Sequence, residues 1–124
     1  MFLSHTRLSH ERRRSERTPV GFYVQQYIDG EPHRCFARHM SSKGIYLERL
    51  AGSVGRDSNR VELEILLPGC GQPIWASGEV VYDRVEPLFH CTAVRFLEMG
   101  PSDASLLREW LRQSGRDELF AESD

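Results

Sequence analysis

The most restrictive feature of this sequence is a series of short segments in which apolar and polar residues alternate. The clearest runs from Arg60 to Leu67, with valine, leucine and isoleucine on one face and arginine and glutamate on the other. Alternation with a period of two is typical of a β-strand that has one face on a core and one in water. Comparable segments lie at residues 20–27, 34–39, 45–48, 74–85 and 89–96. We therefore predict about six short strands, with a hairpin turn at Asp29-Gly30 and an irregularity at Gly78.

The pattern changes at Pro101 to the spacing of an α-helix. Ser102 is suited to the N-cap position, Asp103 to the first turn and Gly115 to the C-terminal cap. Strands followed by one helix predict a mainly β fold: a closed or nearly closed six-stranded antiparallel barrel with a C-terminal helix packed on it. The apolar stripe of this helix consists of Leu106, Leu107, Trp110 and Leu111.

Charge divides the chain unevenly, although the net charge of the 124 residues is only −2. Residues 1–17 contain five arginines against two acids and have no apolar period, which predicts a flexible basic N-terminal arm. Residues 18–115 are expected to form one domain, the barrel and its helix. Residues 116–124 are expected to form an acidic tail.

Several classes of protein are disfavoured by composition. Cys35, Cys70 and Cys91 stand singly, which favours reduced thiols. Because there is no signal-peptide pattern and no apolar run of about 20 residues, we expect a cytoplasmic protein without membrane insertion. The histidines are scattered, and no carboxylate pair or His/Cys cluster has metal-ligand spacing. We therefore expect no catalysis, no metal and no cofactor.

Two polar stretches are candidates for binding an anionic, flat ligand. The arm carries Arg12, Arg13 and Arg17, and arginine can grip a phosphate with two hydrogen bonds or stack on a purine. The bend from Ser41 to Gly44 offers hydroxyls, backbone N–H groups, a cation and a glycine able to adopt a positive φ. The alternatives are a solvated charge run and an ordinary turn.

The two stretches together resemble the PilZ domain family. The similarity covers roughly residues 11–112 and includes the arm at 13–17, the bend at 39–44 and the later Ala93-Val94-Arg95-Phe96. Family members pair an R-x-x-x-R arm with a [D/N]-x-S-x-x-G bend on a six-stranded barrel followed by a helix. The resemblance implies binding of cyclic di-GMP, often as an intercalated dimer. By position, the matching residues are Arg13 and Arg17 for the arm and Ser41 and Gly44 for the bend, with Arg12 next to the arm motif.

His39 departs from the family pattern, since it stands where the family has Asp or Asn. A neutral imidazole has one acceptor nitrogen, and a protonated one has none. Two hypotheses follow: a receptor with a weakened or adapted cyclic di-GMP site that signals to an unknown protein partner, or an adaptor that binds no nucleotide and acts through protein contacts in motility, pilus or exopolysaccharide machinery. Nucleic-acid binding is disfavoured because no aromatics are interleaved with the arginines. The sequence leaves the oligomeric state open.

Overall fold

A computed structural model describes residues 17–50 and 58–123, with side chains described as far as residue 114. The predicted arm before Arg17 and residues 51–57, which separate two of the predicted strands, lie outside the described residues. The described chain forms strands β1 (Thr18–Ile28), β2 (Glu31–Met40), β3 (Gly44–Leu50), β4 (Arg60–Ile65), β5 (Ile74–Val85) and β6 (Phe89–Met99), followed by helix α1 (Pro101–Ser123).

The strands form a closed antiparallel barrel in the order β1-β2-β3-β6-β5-β4, which confirms the fold predicted from the sequence. Closure comes from antiparallel pairing of β1 with β4, for example Val24 with Ile65. The β1–β2 turn consists of Asp29 and Gly30, both with positive φ (53° and 83°). Such φ values suit the two-residue hairpin turns that match the twist of the strands. Glu31 and Pro32, which directly follow the turn, already belong to β2.

The core lies inside the barrel and is lined by alternate residues of every strand. In β4 the three inward side chains are at most 2% exposed, whereas those between them face outward. Cys35 and Cys91 are both buried, as expected for small core residues. The main apolar cluster comprises Val24, Cys35, Ala37, Met40, Ile45, Leu47, Val61, Leu63, Ile65, Leu67, Ile74, Val80, Val94 and Leu107.

Helix α1 packs against the barrel with the predicted stripe. Leu107 is 1% exposed and belongs to the core, while Trp110 packs against it from the helix surface. The Trp110 indole meets the Phe22 ring edge-to-face at 5.8 Å and donates a hydrogen bond from Nε1 to the Pro68 carbonyl (2.9 Å). Burial and two directional contacts therefore fix the helix to the barrel. Within the described chain, no helix combines the length and the apolar character that a membrane crossing requires.

Both predicted ends of the helix are wrong. The helix begins at Pro101, and the Gly100 carbonyl accepts the first bond, from the Ala104 N–H (2.9 Å), so Gly100 rather than Ser102 is the N-cap. Proline is favoured at the first helical position because its ring already has a helical φ. At the other end the helix passes through Gly115 to Ser123, so most of the expected acidic tail has helical backbone.

Two irregularities shift the register between β5 and β6. Ser77 pairs with Glu98 but Gly78 pairs with Phe96, which leaves Leu97 as an extra residue of β6 and confirms the irregularity predicted at Gly78. A Cβ at Gly78 would lie 2.5 Å from Val94 Cγ1, so the absent side chain leaves room for that of Val94. The second shift leaves Val81 as an extra residue of β5, 57% exposed on the outer surface. Bulges of this kind re-aim side chains.

The pKa of the Cys35 thiol provides a test of whether water is excluded from the barrel interior. Burial raises the pKa of Cys35 to about 11, an effect that the nearby Arg49 guanidinium partly opposes. An unfolded chain therefore ionises this thiol at lower pH than the folded chain does. Between about pH 9 and pH 11, we expect the free energy of unfolding to fall by roughly 2 kcal/mol more in the wild type than in Cys35→Ala. Urea unfolding of both proteins across this pH range measures the difference. If the free energy of unfolding changed equally with pH in the two proteins, the result would contradict a dry environment around Cys35.

Candidate functional site

The bend between β2 and β3 is held by three hydrogen bonds. The Ser41 N–H donates to the Gly44 carbonyl (2.9 Å), and the Lys43 N–H donates to Ser41 Oγ (3.0 Å). The Phe96 N–H donates to the Lys43 carbonyl (2.8 Å), which fastens the bend to β6. Because Ser41 Oγ acts as an acceptor within the turn, its hydroxyl proton can be donated to a ligand. These hydrogen bonds therefore hold the bend in place and leave the Ser41 hydroxyl able to donate to a ligand.

Gly44 is required for a different reason from the one that the sequence suggested. Among the described glycines, positive φ occurs at Gly30, Gly69 and Gly71, so the expectation of positive φ at Gly44 is wrong. A Cβ at Gly44 would instead lie 2.5 Å from the Val94 carbonyl oxygen. The absent side chain lets β3 approach β6 closely at the start of their pairing.

Strand pairing brings Arg17 to the bend. β1 and β2 begin their register with Thr18 opposite Met40 and Pro19 opposite His39. Continued by one residue, this antiparallel register sets Arg17 beside Ser41. Arg17 is exposed, immediately before β1. The end of the arm and the bend are thus neighbours because of the barrel's topology, although 23 residues separate Arg17 from Ser41.

A surface depression of about 280 Å³ lies where these elements meet. Its basic side chains are Arg17, Lys43 and Arg95, and no carboxylate belongs to the described lining. Arg95 is held in place by an ion pair with Glu79 on the neighbouring strand. The combination of cations, a hydroxyl and an apolar floor suits an anionic ligand with a flat ring. The full lining is Arg17, His39, Met40, Ser41, Lys43, Gly44, Ile45, Tyr46, Val81, Ala93, Val94 and Arg95.

His39 and Tyr46 form an aromatic pair at the edge of this depression. They are cross-strand partners on β2 and β3, with ring centroids 6.4 Å apart and planes inclined by 52°. Burial, followed by the interaction with Cys91, raises the pKa of Tyr46, so its hydroxyl stays protonated at neutral pH. The position that carries Asp or Asn in the motif is thus occupied here by a half-buried imidazole beside a neutral phenol.

Four of the six residues predicted for the site therefore line one depression: Arg17, His39, Ser41 and Gly44. The other two, Arg12 and Arg13, lie outside the described residues. The structure adds further lining residues that the sequence did not assign to a site: Tyr46, Val81 and Arg95. The sequence held no local signal for Tyr46 and Val81, since cross-strand pairing and the β5 bulge bring them there, whereas Arg95 lies in the stretch 93–96 that contributed to the family resemblance. In the part of the chain that the structure describes, no three metal-ligating side chains form a cluster.

The family model of the PilZ domain matches residues 11–113. The chain belongs to the PilZ domain family. The match begins ahead of the predicted arm motif and ends within α1, so it covers the whole barrel of this PilZ domain. It also includes all six residues predicted for the site.

Two solved structures share the fold. The Bacillus subtilis inhibitor of motility MotI/DgrA has a TM-score of 0.68 at 20% identity, covering 84% of this chain and 50% of that one. The Borreliella burgdorferi PlzA protein, in complex with cyclic di-GMP, has a TM-score of 0.56 at 9% identity, covering 100% of this chain and 59% of that one. This PilZ domain thus spans between half and three fifths of the length of these structures. The comparison with curated proteins gives no significant match.

Proposed function

We propose that this PilZ domain is a non-catalytic cytoplasmic receptor that binds cyclic di-GMP in the depression beside the β2–β3 bend. The observation that carries the proposal is the convergence of Arg17, His39, Ser41 and Gly44 on one basic depression. All four occupy positions of the two family motifs, and the family match spans both. The complex of PlzA with cyclic di-GMP supports the choice of ligand.

Each part of the depression has a counterpart in the ligand's chemistry. Arg17 and Lys43 supply charge for the phosphates, and Ser41 supplies a hydroxyl donor. The exposed Val81 and its neighbour Ala93 supply an apolar surface against which a guanine ring can lie. Arg12 and Arg13, placed by the motif rather than by the structure, would approach from the arm and complete the set of cations.

The proposed output is a change of surface that a protein partner recognises. Four arginines within residues 12–17 repel one another. A ligand with two phosphates offsets that repulsion and joins the arm to the barrel, so ligand and arm stabilise each other's bound state. The name of MotI/DgrA, an inhibitor of motility, makes motility machinery the first place to seek the partner.

A second candidate function is favoured by His39. Asp or Asn would present an oxygen acceptor to a guanine edge, whereas His39 presents an imidazole that packs beside Tyr46. Loss of one good polar contact costs about 1–3 kcal/mol, which is roughly ten- to a hundredfold in affinity. If binding is lost altogether, the chain is an adaptor that acts through protein contacts alone.

Replacing His39 separates the two candidates. We expect His39→Asp and His39→Asn to bind cyclic di-GMP roughly ten- to a hundredfold more tightly than the wild type, because each restores an oxygen acceptor. The asparagine variant is the control for charge, since it adds the acceptor without a carboxylate. Calorimetric titration of the three proteins gives the comparison.

The three titrations have distinct outcomes. Measurable wild-type binding that tightens in both variants supports the receptor. Binding that appears only in the variants supports the adaptor. No gain in either variant would contradict the assignment of His39 to the site.

A further inference from the structure

The outer face of β2, β1 and β4 has a charge order that runs across the strands. Gln25 of β1 pairs with Arg34 of β2 on one side and with Glu64 of β4 on the other. This row of residues across the three strands is therefore basic on β2, polar on β1 and acidic on β4. The Tyr27 hydroxyl donates to Glu64 Oε1 (3.2 Å), which holds the carboxylate on this face. This row lies on a different part of the barrel from the depression proposed for the nucleotide.

The adjacent row is apolar and exposed. Tyr23 of β1 is 56% exposed and pairs with Phe36 of β2, their rings meeting at 5.2 Å. On the other side, Leu66 directly follows Ile65, which pairs with Val24, and is 53% exposed. The Arg34 guanidinium stacks on the Tyr23 ring, 4.0 Å from its centroid. Exposed aromatic, leucine and arginine side chains in one patch are typical of protein contact surfaces.

We propose that this face binds a second copy of the same chain, with the two-fold axis lying in the interface along β1. Such an axis sets β1 on β1 and β2 on β4 of the other copy. Arg34 then faces Glu64 in two equivalent contacts, Phe36 faces Leu66, and Gln25 and Tyr23 face their own counterparts. The face is thus complementary to itself in charge and in hydrophobicity.

The shape of the face agrees with this pairing. A shallow depression of about 450 Å³ lies on this face, and its lining extends from Arg34 of β2 across Tyr23 and Gln25 of β1 to Glu64 and Leu66. The same two-fold axis places Arg34 and Phe36 of the other copy over it. Three strands at about 4.8 Å spacing cover on the order of 400 Å² of each copy, which is small for a specific interface. The dimer is therefore weak and depends on protein concentration.

Charge reversal tests the pairing in trans, in the absence of nucleotide. Arg34→Glu alone sets two pairs of acids against each other, and Glu64→Arg alone sets two pairs of bases. We expect each variant to raise the dimer dissociation constant at least about tenfold. An equimolar mixture of the two restores attraction in both contacts, so we expect a heterodimer with near wild-type affinity. Sedimentation velocity from low micromolar to near-millimolar concentration measures all three.

A matched pair of variants locates the surface. Leu66→Glu buries a charge in the proposed interface and is expected to abolish the dimer. Val85→Glu changes a residue that is 72% exposed at the far end of β5, and is expected to leave dimerisation unchanged. Circular dichroism melts at low concentration check that each variant folds.

Three results would overturn the proposal: a wild type that is monomeric throughout, a mixture of the charge variants that does not associate, or a dimer lost in Val85→Glu and kept in Leu66→Glu. Because every measurement is made without nucleotide, failure here leaves the proposed receptor function untouched.

Discussion

Replacing Arg17 by alanine is expected to weaken cyclic di-GMP binding by on the order of a hundredfold, equivalent to roughly 3 kcal/mol. Arg17 is the described arm arginine, and the β1–β2 register fixes it beside Ser41 at the rim of the depression. Its guanidinium can form charge-assisted, paired hydrogen bonds to a phosphate, which are among the strongest that a side chain offers. Arg17 is exposed, so its loss leaves the core intact and the melting temperature close to that of the wild type.

The matched control is Arg60→Ala. Arg60 is also exposed and is the first residue of β4, as Arg17 directly precedes β1, but it does not belong to the lining of the depression. Arg60→Ala removes the same net charge as Arg17→Ala, so any general electrostatic effect on an anionic ligand appears equally in both variants. Calorimetric titration should show a large loss for Arg17→Ala and a small one for Arg60→Ala. Equal affinities in the two variants would remove Arg17 from the site.

Substituting Gly44 by alanine is expected to destabilise the barrel by about 2–3 kcal/mol, the upper part of the range for overpacking. The new methyl group would lie 2.5 Å from the Val94 carbonyl oxygen, and a backbone atom cannot rotate away as a side chain can. Relief requires β3 to move away from β6 where they first pair, at Gly44 and Arg95. The bend moves with it, so we expect ligand affinity to fall as well.

Gly21→Ala is the control for this effect. A Cβ at Gly21 would make an ordinary contact, 3.5 Å from the Phe36 ring. Its expected change in the free energy of unfolding is within about 0.5 kcal/mol. Urea unfolding of both variants provides the comparison. A Gly44→Ala protein as stable as the wild type would show that β3 and β6 do not need this close approach.

The barrel was predictable because its signals are local. Alternation such as that from Arg60 to Ile65 marks each strand, and Asp29-Gly30 specifies the turn between two of them. The ends of the helix were not predictable in the same way. Gly115 has the residue type of a C-cap, yet the helix continues through it. A glycine within a helix costs only about 1 kcal/mol, so its presence alone does not end one.

The lining of the candidate site was predictable only in part. Ser41 and Gly44 stand in one short motif, and Arg17 matches the other, so a resemblance to the family was enough to find them. Val81 could not be found, because only a register shift between β5 and β6 turns it toward the depression. The sequence also assigned Gly44 the wrong role, because the distance from its missing Cβ to the Val94 carbonyl depends on the pairing of two distant strands.

The most direct test of the proposed receptor is calorimetric titration of the purified chain with cyclic di-GMP, repeated at two temperatures so that a vanishing enthalpy at one of them is not mistaken for lack of binding. We predict saturable binding in the micromolar range, weaker than in His39→Asp, with either one ligand or an intercalated pair per chain. No heat at either temperature, together with no competition at high micromolar ligand, would contradict the receptor and leave the adaptor as the function of this domain.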